Sequence, residues 1–343
     1  MEIGEFMYNF LPNKSKLEEI IDNMSNKRLL VVGDFAIDEM IYGDVSRLSR
    51  EAPVLILHHK KTDSLLGAAS NAAHNISTLT KGKAGAIGVF GDDFHGPVLL
   101  DTLKKASINT ELMVEDKNRP TSVKTRISGA AKQSVTQQIV RIDRELHSFV
   151  DFEIEQKIIE NIKKAMPSYD AVILSDYGIG MMTPNIIKTT IEEANRFQKI
   201  VAVDPQTDLD KFQYATVLTP NQPDSVNAVG YDIVDEETLQ KAGDDLLSMT
   251  NAKYILITRG EHGMALFEQG KEAVKIPAFN KTSVFDVTGA GDTVVATFTT
   301  ALAAGASASE AMYLGNLAAS VVIKQFGCAT ISQEELKSCL ASL

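Results

Sequence analysis

Six short runs of consecutive apolar residues recur along the chain, and they constrain its fold more than any other feature. Because these runs are apolar at successive rather than alternate positions, they predict strands buried on both faces, as in a parallel sheet. Amphipathic stretches with helical periodicity lie between them, for example at 153–166, 184–198 and 235–249. This order predicts an α/β fold, doubly wound, with a mostly parallel sheet flanked by helices. The runs are 29–33, 86–90, 171–175, 200–204, 215–218 and 254–258.

Two segments depart from this alternation. Residues 53–61 and 121–143 have extended patterns without an intervening helix. They predict a small antiparallel sheet, with strands within about residues 34–62 and 120–143, that is suited to act as a lid over a cleft. Residues 1–25 predict an irregular leader with a short helix. We find no repeat or low-complexity linker and expect residues 1–343 to form a single domain.

Composition excludes several classes of protein. The chain has 34 Lys and Arg against 45 Asp and Glu, a net charge of −11, which argues against a nucleic-acid partner. The N-terminus carries acids where a secretory signal has a basic region, and the apolar stretch 294–304 is shorter than the roughly 18 residues of a membrane span. Cys328 and Cys339 have no metal or disulfide spacing. We therefore expect a cytoplasmic protein.

The most informative motif is FDVTGAGDTVVATFTTALAA, from Phe285 to Ala304. The small residues Gly289, Ala290 and Gly291 allow backbone N–H groups to converge at the start of the helix that the following apolar run predicts. Such a helix N-terminus forms an anion site, suited to a phosphoryl group in transfer. Asp292, in the first turn, could accept a proton from an attacking hydroxyl. Alternatively, Asp292 only caps the helix and the glycines serve tight packing.

Two other phosphate-binding motifs do not fit this sequence. The segment GAGDTV lacks the third glycine of a dinucleotide fingerprint and lies far from an opening βαβ unit. Gly82 and Lys83 are followed by Ala84, so the P-loop motif is absent as well.

The motif DVTGAGD resembles the C-terminal signature of the ribokinase-like (PfkB) carbohydrate kinases. Further landmarks of that family follow in the expected order over residues 28–335: GDFAID (33–38), GAASNAAHNI (67–76), LTPNQPD (218–224) and TRGEHG (258–263). The resemblance implies a kinase that uses ATP and Mg²⁺, and in some members K⁺ beside the anion site. It also implies a homodimer joined through the lid sheets.

Within this family the sequence is most similar to kinases that phosphorylate the C1 hydroxyl of D-glycero-D-manno-heptose 7-phosphate, giving heptose 1,7-bisphosphate toward ADP-heptose. The segments that carry this similarity are SRLSREAPV (46–54), TSVKTRI (121–127), QQIVRID (137–143), LSDYG (174–178) and VDP (203–205). Two alternatives stay open. One is a related kinase of another sugar or sugar phosphate, and the other is a non-catalytic module that senses sugar or nucleotide.

The resemblance assigns roles to individual residues. Asp292 is the general base, and Gly289, Ala290 and Gly291 form the anion site. The sugar is bound by Asp34, Asp38, Gly67 and Asn71, and its distal phosphate by Lys124, Arg126 and Arg141. Asn221 and Asp224 organise Mg²⁺ through water, Thr258, Gly260 and Gly263 form the nucleotide-side loop, and Asn316 borders the adenine.

These assignments have structural alternatives. Asp34 and Asp38 are also typical of turns after strands, and basic residues on exposed strands also protect sheet edges. Gly67 is also an ordinary helix-start glycine, and Asn221 and Asp224 also suit a solvated loop.

The chain departs from the family pattern at four positions. Asp224 replaces the usual glutamate and is one methylene shorter. Ala68 stands where a second glycine is usual. Ile179 and Gln206 replace lysines of the heptose kinases, and we expect the loss of two cations to relax affinity or shift specificity.

Overall fold

The computed structural model describes residues 12–130, 137–279, 286–325 and 327–342. Its strands are β1 (Leu29–Gly33), β2 (Phe35–Leu48), β3 (Leu55–Ala68), β4 (Ala84–Ile87), β5 (Val89–Gly91), β6 (Ile108–Asn109), β7 (Val114–Asp116), β8 (Ser122–Ala130), β9 (Gln137–Arg144), β10 (Ala171–Ser175), β11 (Ile200–Asp204), β12 (Val217–Leu218), β13 (Tyr254–Thr258), β14 (Met264–Glu268) and β15 (Val274–Ile276). Its helices are α1 (Lys14–Met24), α2 (Ala69–Thr80), α3 (His95–Lys105), α4 (Phe152–Ala165), α5 (Pro184–Arg196), α6 (Gln222–Val229), α7 (Glu236–Thr250), α8 (Ala290–Ala303), α9 (Ala308–Val322) and α10 (Gln333–Ser342).

Nine strands form the main sheet, in the order β15-β14-β13-β12-β11-β10-β1-β4-β6. Every pair from β13 to β6 is parallel, and only β14 and β15 add antiparallel pairs at one edge. Two apolar cores cover its faces, one formed with α1, α2, α3, α8, α9 and α10 and the other with α4, α5 and α7. The predicted doubly wound, mostly parallel fold is therefore confirmed.

Local sequence signals fix the start of several helices. At α5, the Thr183 hydroxyl accepts a hydrogen bond from the N–H of Ile186, with Pro184 in the first turn. At α9, Ser307 and Glu310 form a reciprocal capping box. In the part of the chain that the structure describes, no helix combines the length and the apolar character needed to cross a bilayer.

One predicted strand differs from the structure. The run 86–90 is divided at Gly88, with β4 in the main sheet and β5 paired with β7 in a separate two-stranded sheet. The division has a physical cause: β1, the neighbour of β4, ends at Gly33, and the chain then leaves the main sheet as β2. Beyond Ile87 the chain has lost that partner, and periodicity within one segment does not reveal when a neighbouring strand ends.

Four strands form the small sheet, in the order β3-β2-β8-β9. Its outer pairs are antiparallel, as expected, whereas the central pair of β2 and β8 is parallel. Strand β3 extends beyond the expected limit to Ala68 and β9 ends at Arg144. Because β2 begins two residues after β1 ends, the base of the small sheet lies at the carboxyl end of β1. In open α/β sheets that edge is where ligands bind.

The link between β3 and α2 is strained. Ala68 has φ 51° and ψ −137°, a backbone conformation that L-residues with a Cβ rarely adopt. Its side chain is buried, so the surrounding structure holds the residue in place.

We expect Ala68→Gly to increase the free energy of unfolding by about 1 kcal/mol, because relief of backbone strain exceeds the added entropy of the unfolded chain. Urea denaturation measures the change. Ala73→Gly, inside α2, is the matched control and should destabilise by at least about 1 kcal/mol. A loss of stability in Ala68→Gly would contradict the interpretation of strain.

Candidate active site

Three hollows lie around the start of α8. The apolar hollow has a volume of about 440 Å³ and the acidic hollow about 300 Å³, and they share Thr258 and Gly291 in their walls. A third, the small-sheet hollow, has a volume of about 130 Å³ and lies between the small sheet and Cys328.

The turn before α8 has the conformation that its glycines predict. Gly289 has φ 76°, in the left-handed region, and a Cβ there would lie 2.4 Å from the Asn71 Nδ2 atom. A Cβ on Gly291 would meet no atom within 4 Å, because this residue faces open space. The N–H of Ala290 donates to the Val287 carbonyl at 3.2 Å. The predicted anion site is thus lined by Gly289 and Gly291, whereas the Ala290 N–H is hydrogen-bonded within the turn.

The Asp292 carboxylate is buried and held by two donors. Its Oδ2 accepts a hydrogen bond from Asn71 Nδ2 and its Oδ1 one from the Tyr177 hydroxyl, both at 2.8 Å. Burial raises the pKa of Asp292 to about 6, and the two hydrogen bonds oppose that rise. The carboxylate lines the acidic hollow beside Gly289 and Gly291. Its role as a general base at the predicted anion site stays a prediction.

The Asp34 carboxylate is hydrogen-bonded to backbone N–H groups. It accepts hydrogen bonds from the N–H groups of Tyr177, Ile179 and Met181, at 2.8, 3.4 and 3.1 Å. Burial raises its pKa to about 6 against these bonds. Asp34 thus organises the loop 176–181, and its direct contact with a sugar stays a prediction.

Asp38 lies at the base of the small sheet. Its Oδ1 is 2.8 Å from Arg126 Nη1, and its Oδ2 accepts a hydrogen bond from the Cys328 thiol at 3.2 Å. A Cβ on Gly67 would lie 2.6 Å from the Asp38 Oδ1 atom, which explains the glycine there. Gly67 therefore lies next to Asp38, while Asn71 is hydrogen-bonded to Asp292.

The three predicted phosphate-binding cations do not form one basic pocket. Lys124 lies 5.1 Å from the ring centre of Tyr177, and its charge lowers the pKa of Asp292. Arg126 pairs with Asp38, whereas Arg141 binds Asp143 through two hydrogen bonds of 2.7 Å. Since Arg126 and Arg141 are opposite each other on β8 and β9, they share one face of the small sheet.

Carboxylates crowd the acidic hollow. Asn221 caps α6 by accepting a hydrogen bond from the Asp224 N–H at 2.8 Å. Burial, followed by the charges of Asp292, Asp224 and Asp176, raises the pKa of Asp204 well above its usual value. Such crowding fits a bound cation. Across the ranges described, no group of three or more His, Cys, Asp or Glu side chains is arranged to hold a metal by itself. A metal here would also need oxygens from phosphate or water.

The apolar hollow collects the residues predicted for the nucleotide side: Thr258, Gly260, Gly263 and Asn316. Gly263 has φ 81°, and a Cβ there would lie 2.0 Å from the Ile276 carbonyl oxygen. Asn316 is buried and donates to the Pro277 carbonyl at 2.7 Å, so it shapes the wall. Most other lining side chains are apolar, including Phe279, and the volume suits a purine.

Sequence reasoning gave no role to several side chains of this site. Tyr177 and Asp204 lie in the segments LSDYG and VDP, whose similarity to one subfamily was the only signal that could have found them. Cys328 and Lys211 gave no signal. Lys211 lies 2.6 Å from Asp176 and offsets part of the acidic charge.

Comparison with protein-family models decides the family. Residues 26–335 match the model described as pfkB family carbohydrate kinase. The chain belongs to this family. Its members are phosphotransferases that act on a sugar hydroxyl, as the sequence predicted, and ribokinase-like kinases use ATP and a divalent metal.

Curated relatives agree with this pfkB assignment. The bifunctional protein HldE of Desulfatibacillum aliphaticivorans is 41% identical over 315 residues, which are 92% of this chain and 63% of that protein. HldE of Nitratiruptor sp. is 38% identical over 310 residues, 90% of this chain and 64% of that protein. The chain therefore spans less than two thirds of the length of these relatives.

Two solved structures show the fold. Arabidopsis thaliana ribokinase, complexed with ribose and ATP, has a TM-score of 0.70 at 19% identity, covering 92% of this chain and 98% of that one. Escherichia coli phosphofructokinase-2, in complex with substrates and products, has a TM-score of 0.74 at 17% identity, covering 92% and 99%.

Gly291→Ala and Gly289→Ala form a matched pair that tests the anion site. Gly291→Ala should fold normally, because its methyl group enters open space, yet lower kcat/KM at least about tenfold by displacing the phosphoryl group. Gly289→Ala should lose both activity and about 1–3 kcal/mol of stability, because of its left-handed conformation. Steady-state kinetics and urea denaturation measure these effects. Full turnover of Gly291→Ala would show that phosphate does not pass this turn.

Proposed function

We propose that this chain transfers the γ-phosphate of ATP to the C1 hydroxyl of D-glycero-D-manno-heptose 7-phosphate, giving heptose 1,7-bisphosphate and ADP. The observation that carries the proposal is the position of Asp292. Its buried carboxylate has a pKa of about 6 and lies at the start of α8, beside the acidic hollow. The heptose assignment is supported by the subfamily segments of the sequence and by curated relatives named HldE. The product would serve ADP-heptose formation.

The chemistry follows from these positions. The Asp292 carboxylate takes the proton of the acceptor hydroxyl as its oxygen forms a bond to the γ-phosphorus, and the bond to the β-phosphate oxygen breaks to release ADP. The Gly291 amide and the dipole of α8 stabilise charge on the phosphoryl oxygens. Asp292 later returns the proton to solvent.

A magnesium ion would neutralise charge on the ATP phosphates. We propose that Asn221 and Asp224 hold it through water, beside Asp204. Asp224 is shorter than the glutamate usual in the family, and the neighbouring Asp204 carboxylate supplies a further oxygen. We also propose that a monovalent cation such as K⁺ binds next to the anion site. Both ions fit the surplus of carboxylates around the acidic hollow.

We propose that the sugar binds near Asp38, Asn71 and the Cys328 thiol, since Asn71 is hydrogen-bonded to Asp292 and Cys328 to Asp38. We propose that Arg126 and Arg141 exchange their carboxylate partners for the distal phosphate of the substrate, because guanidinium groups bind phosphate oxygens in the same geometry. Lys124, closer to Asp292, would contact the acceptor end. Asp34 would act mainly through the loop 176–181.

A second candidate function is phosphorylation of a different sugar or sugar phosphate. The structure favours it at two positions. The Ile179 side chain is buried, and Gln206 lies in the wall of the acidic hollow, so neither position supplies the cation of the heptose kinases. A non-catalytic sensor would keep the hollows but would not need an ionised Asp292.

The deciding experiment is a panel of acceptors in a coupled ADP-release assay, including heptose 7-phosphate, fructose 6-phosphate, ribose and fructose. We expect high turnover with heptose 7-phosphate alone. Asp292→Asn should lower kcat about 10²–10⁴-fold and leave ATP binding, measured by calorimetry, nearly unchanged. Turnover with another acceptor would favour the second candidate. No turnover with any acceptor, or an active Asp292→Asn enzyme, would contradict the assignment of the base.

We further propose that residues 1–343 act as one kinase domain in the cytoplasm and pair as a homodimer through the small sheet. Seven apolar side chains line a hollow of about 540 Å³ on this sheet, together with His59: Ile41, Val54, Leu55, Leu57, Ile127, Ile139 and Val140. Val54, Leu55, Ile139 and Val140 are each 40% or more exposed, an arrangement that favours association.

We expect Val140→Asp to convert the dimer to a monomer, because a buried, unpaired charge at an interface is costly. Sedimentation equilibrium measures the association. Val234→Asp is the control, since Val234 is 78% exposed and lies outside the small sheet, and it should leave the dimer intact. A monomeric wild-type protein, or no effect of Val140→Asp, would exclude this interface.

A further inference from the structure

The Tyr177 hydroxyl is a half-buried polar group that the reaction above does not use. Tyr177 follows β10 and lines the acidic hollow. Its hydroxyl donates to the Asp292 Oδ1 atom at 2.8 Å, on the opposite side of the carboxylate from the Asn71 donor. Each oxygen of the proposed base therefore receives one hydrogen bond from a different element of the fold.

The loop 176–181 holds Tyr177 in place from several directions. The Asp34 carboxylate binds the Tyr177 N–H at 2.8 Å. The Asp176 N–H donates to the Asp204 carbonyl at 3.1 Å, and the buried Arg119 guanidinium donates to the Ile179 carbonyl at 2.8 Å. These bonds hold the backbone of Tyr177, and the Lys124 ammonium lies 5.1 Å from the centre of its ring, so the phenol is supported as an oriented donor requires.

We propose that Tyr177 is a positioning residue for the reaction, which orients the Asp292 carboxylate toward the acceptor hydroxyl. This inference rests on the proposed function. With both oxygens hydrogen-bonded, rotation of the carboxylate is restricted where it lines the acidic hollow. Without the phenol, the carboxylate could pivot about its bond to Asn71, and Oδ1 would be left buried without its donor.

Other ionisable side chains lie near Asp292, and their charges matter for the effect of removing the Tyr177 hydroxyl. They are Asp38 on β2, Lys124 on β8, Asp204 on β11 and Cys328 after α9. Burial and Asp38 raise the pKa of Asp292, while Asn71, Tyr177 and Lys124 lower it. Burial, with the charges of Asp292 and Asp204, holds the pKa of Tyr177 itself well above 10, so Tyr177 stays a donor at working pH. Loss of this donor must therefore raise the pKa of Asp292.

Tyr177→Phe tests the proposal, because it keeps the ring beside Lys124 and removes only the hydroxyl. We expect the acidic limb of the kcat/KM profile to move from about pH 6 upward by about one unit, with KM for ATP unchanged. The Asp292 carboxyl pKa, followed by carbon NMR with Asp292→Asn for assignment, should move by the same amount. Tyr231→Phe is the matched control: it removes a hydroxyl 2.7 Å from Asp245, away from the hollows, and should shift neither.

The outcomes separate this inference from the proposed function. If Asp292→Asn is inactive but Tyr177→Phe leaves both pKa readouts unchanged, the positioning role is wrong even though the base is right. A loss of thermal stability without a pH shift would reduce Tyr177 to a structural role and overturn the proposal too. Should Tyr177→Phe fail to fold, 3-fluorotyrosine at position 177 is the second variant. This stronger donor should move the acidic limb to lower pH, and an unmoved limb would overturn the proposal.

Discussion

The hydrogen bonds to the Asp292 carboxylate connect the parts of the fold that have to meet at the site. Asn71 comes from α2, Tyr177 from the loop after β10, and Asp292 from α8. These elements are far apart in the chain, and each packs on the main sheet through its own apolar side chains. A buried carboxylate without donors would be protonated or expelled, so the three elements must keep their relative positions for the Asp292 carboxylate to stay ionised.

Other buried carboxylates of the site also have hydrogen-bond donors or cations as partners. Asp34 receives three backbone N–H groups, Asp38 faces Arg126, and Asp176 faces Lys211. Asp204 is the exception, because nearby carboxylates and burial together hold its pKa high. That surplus of negative charge is concentrated at the acidic hollow, where a metal and nucleotide phosphates are proposed to bind. The apolar hollow beside it is lined mostly by apolar side chains and is proposed to hold the adenine ring.

The small sheet links the sugar side to this arrangement. Strand β2 carries Asp38 and β8 carries Lys124 and Arg126, and the two strands are paired in register at Asp38 and Lys124. A movement of the small sheet would therefore shift both the proposed sugar contacts and the Lys124 charge with respect to Asp292. The opposite face of the sheet, which carries the exposed apolar side chains, is proposed to pair with a second copy of the chain. Substrate binding and dimer formation are thus both proposed to involve the small sheet.

The sequence alone determined the doubly wound fold, the helix that starts after Gly289, and the family, because apolar periodicity, left-handed glycines and short motifs are properties of contiguous residues. Through resemblance, it also predicted Asp292 as the general base and Asp34, Asp38 and Asn71 as sugar contacts. Only the tertiary structure showed that Asp34 serves a loop, that Ala290 serves a turn, and that Tyr177 and Cys328 enter the site. The end of β4 at Ile87 likewise depends on its partner strand β1, which ends at Gly33. Hydrogen-bond partners and burial depend on residues distant in the chain, and no local pattern contains them.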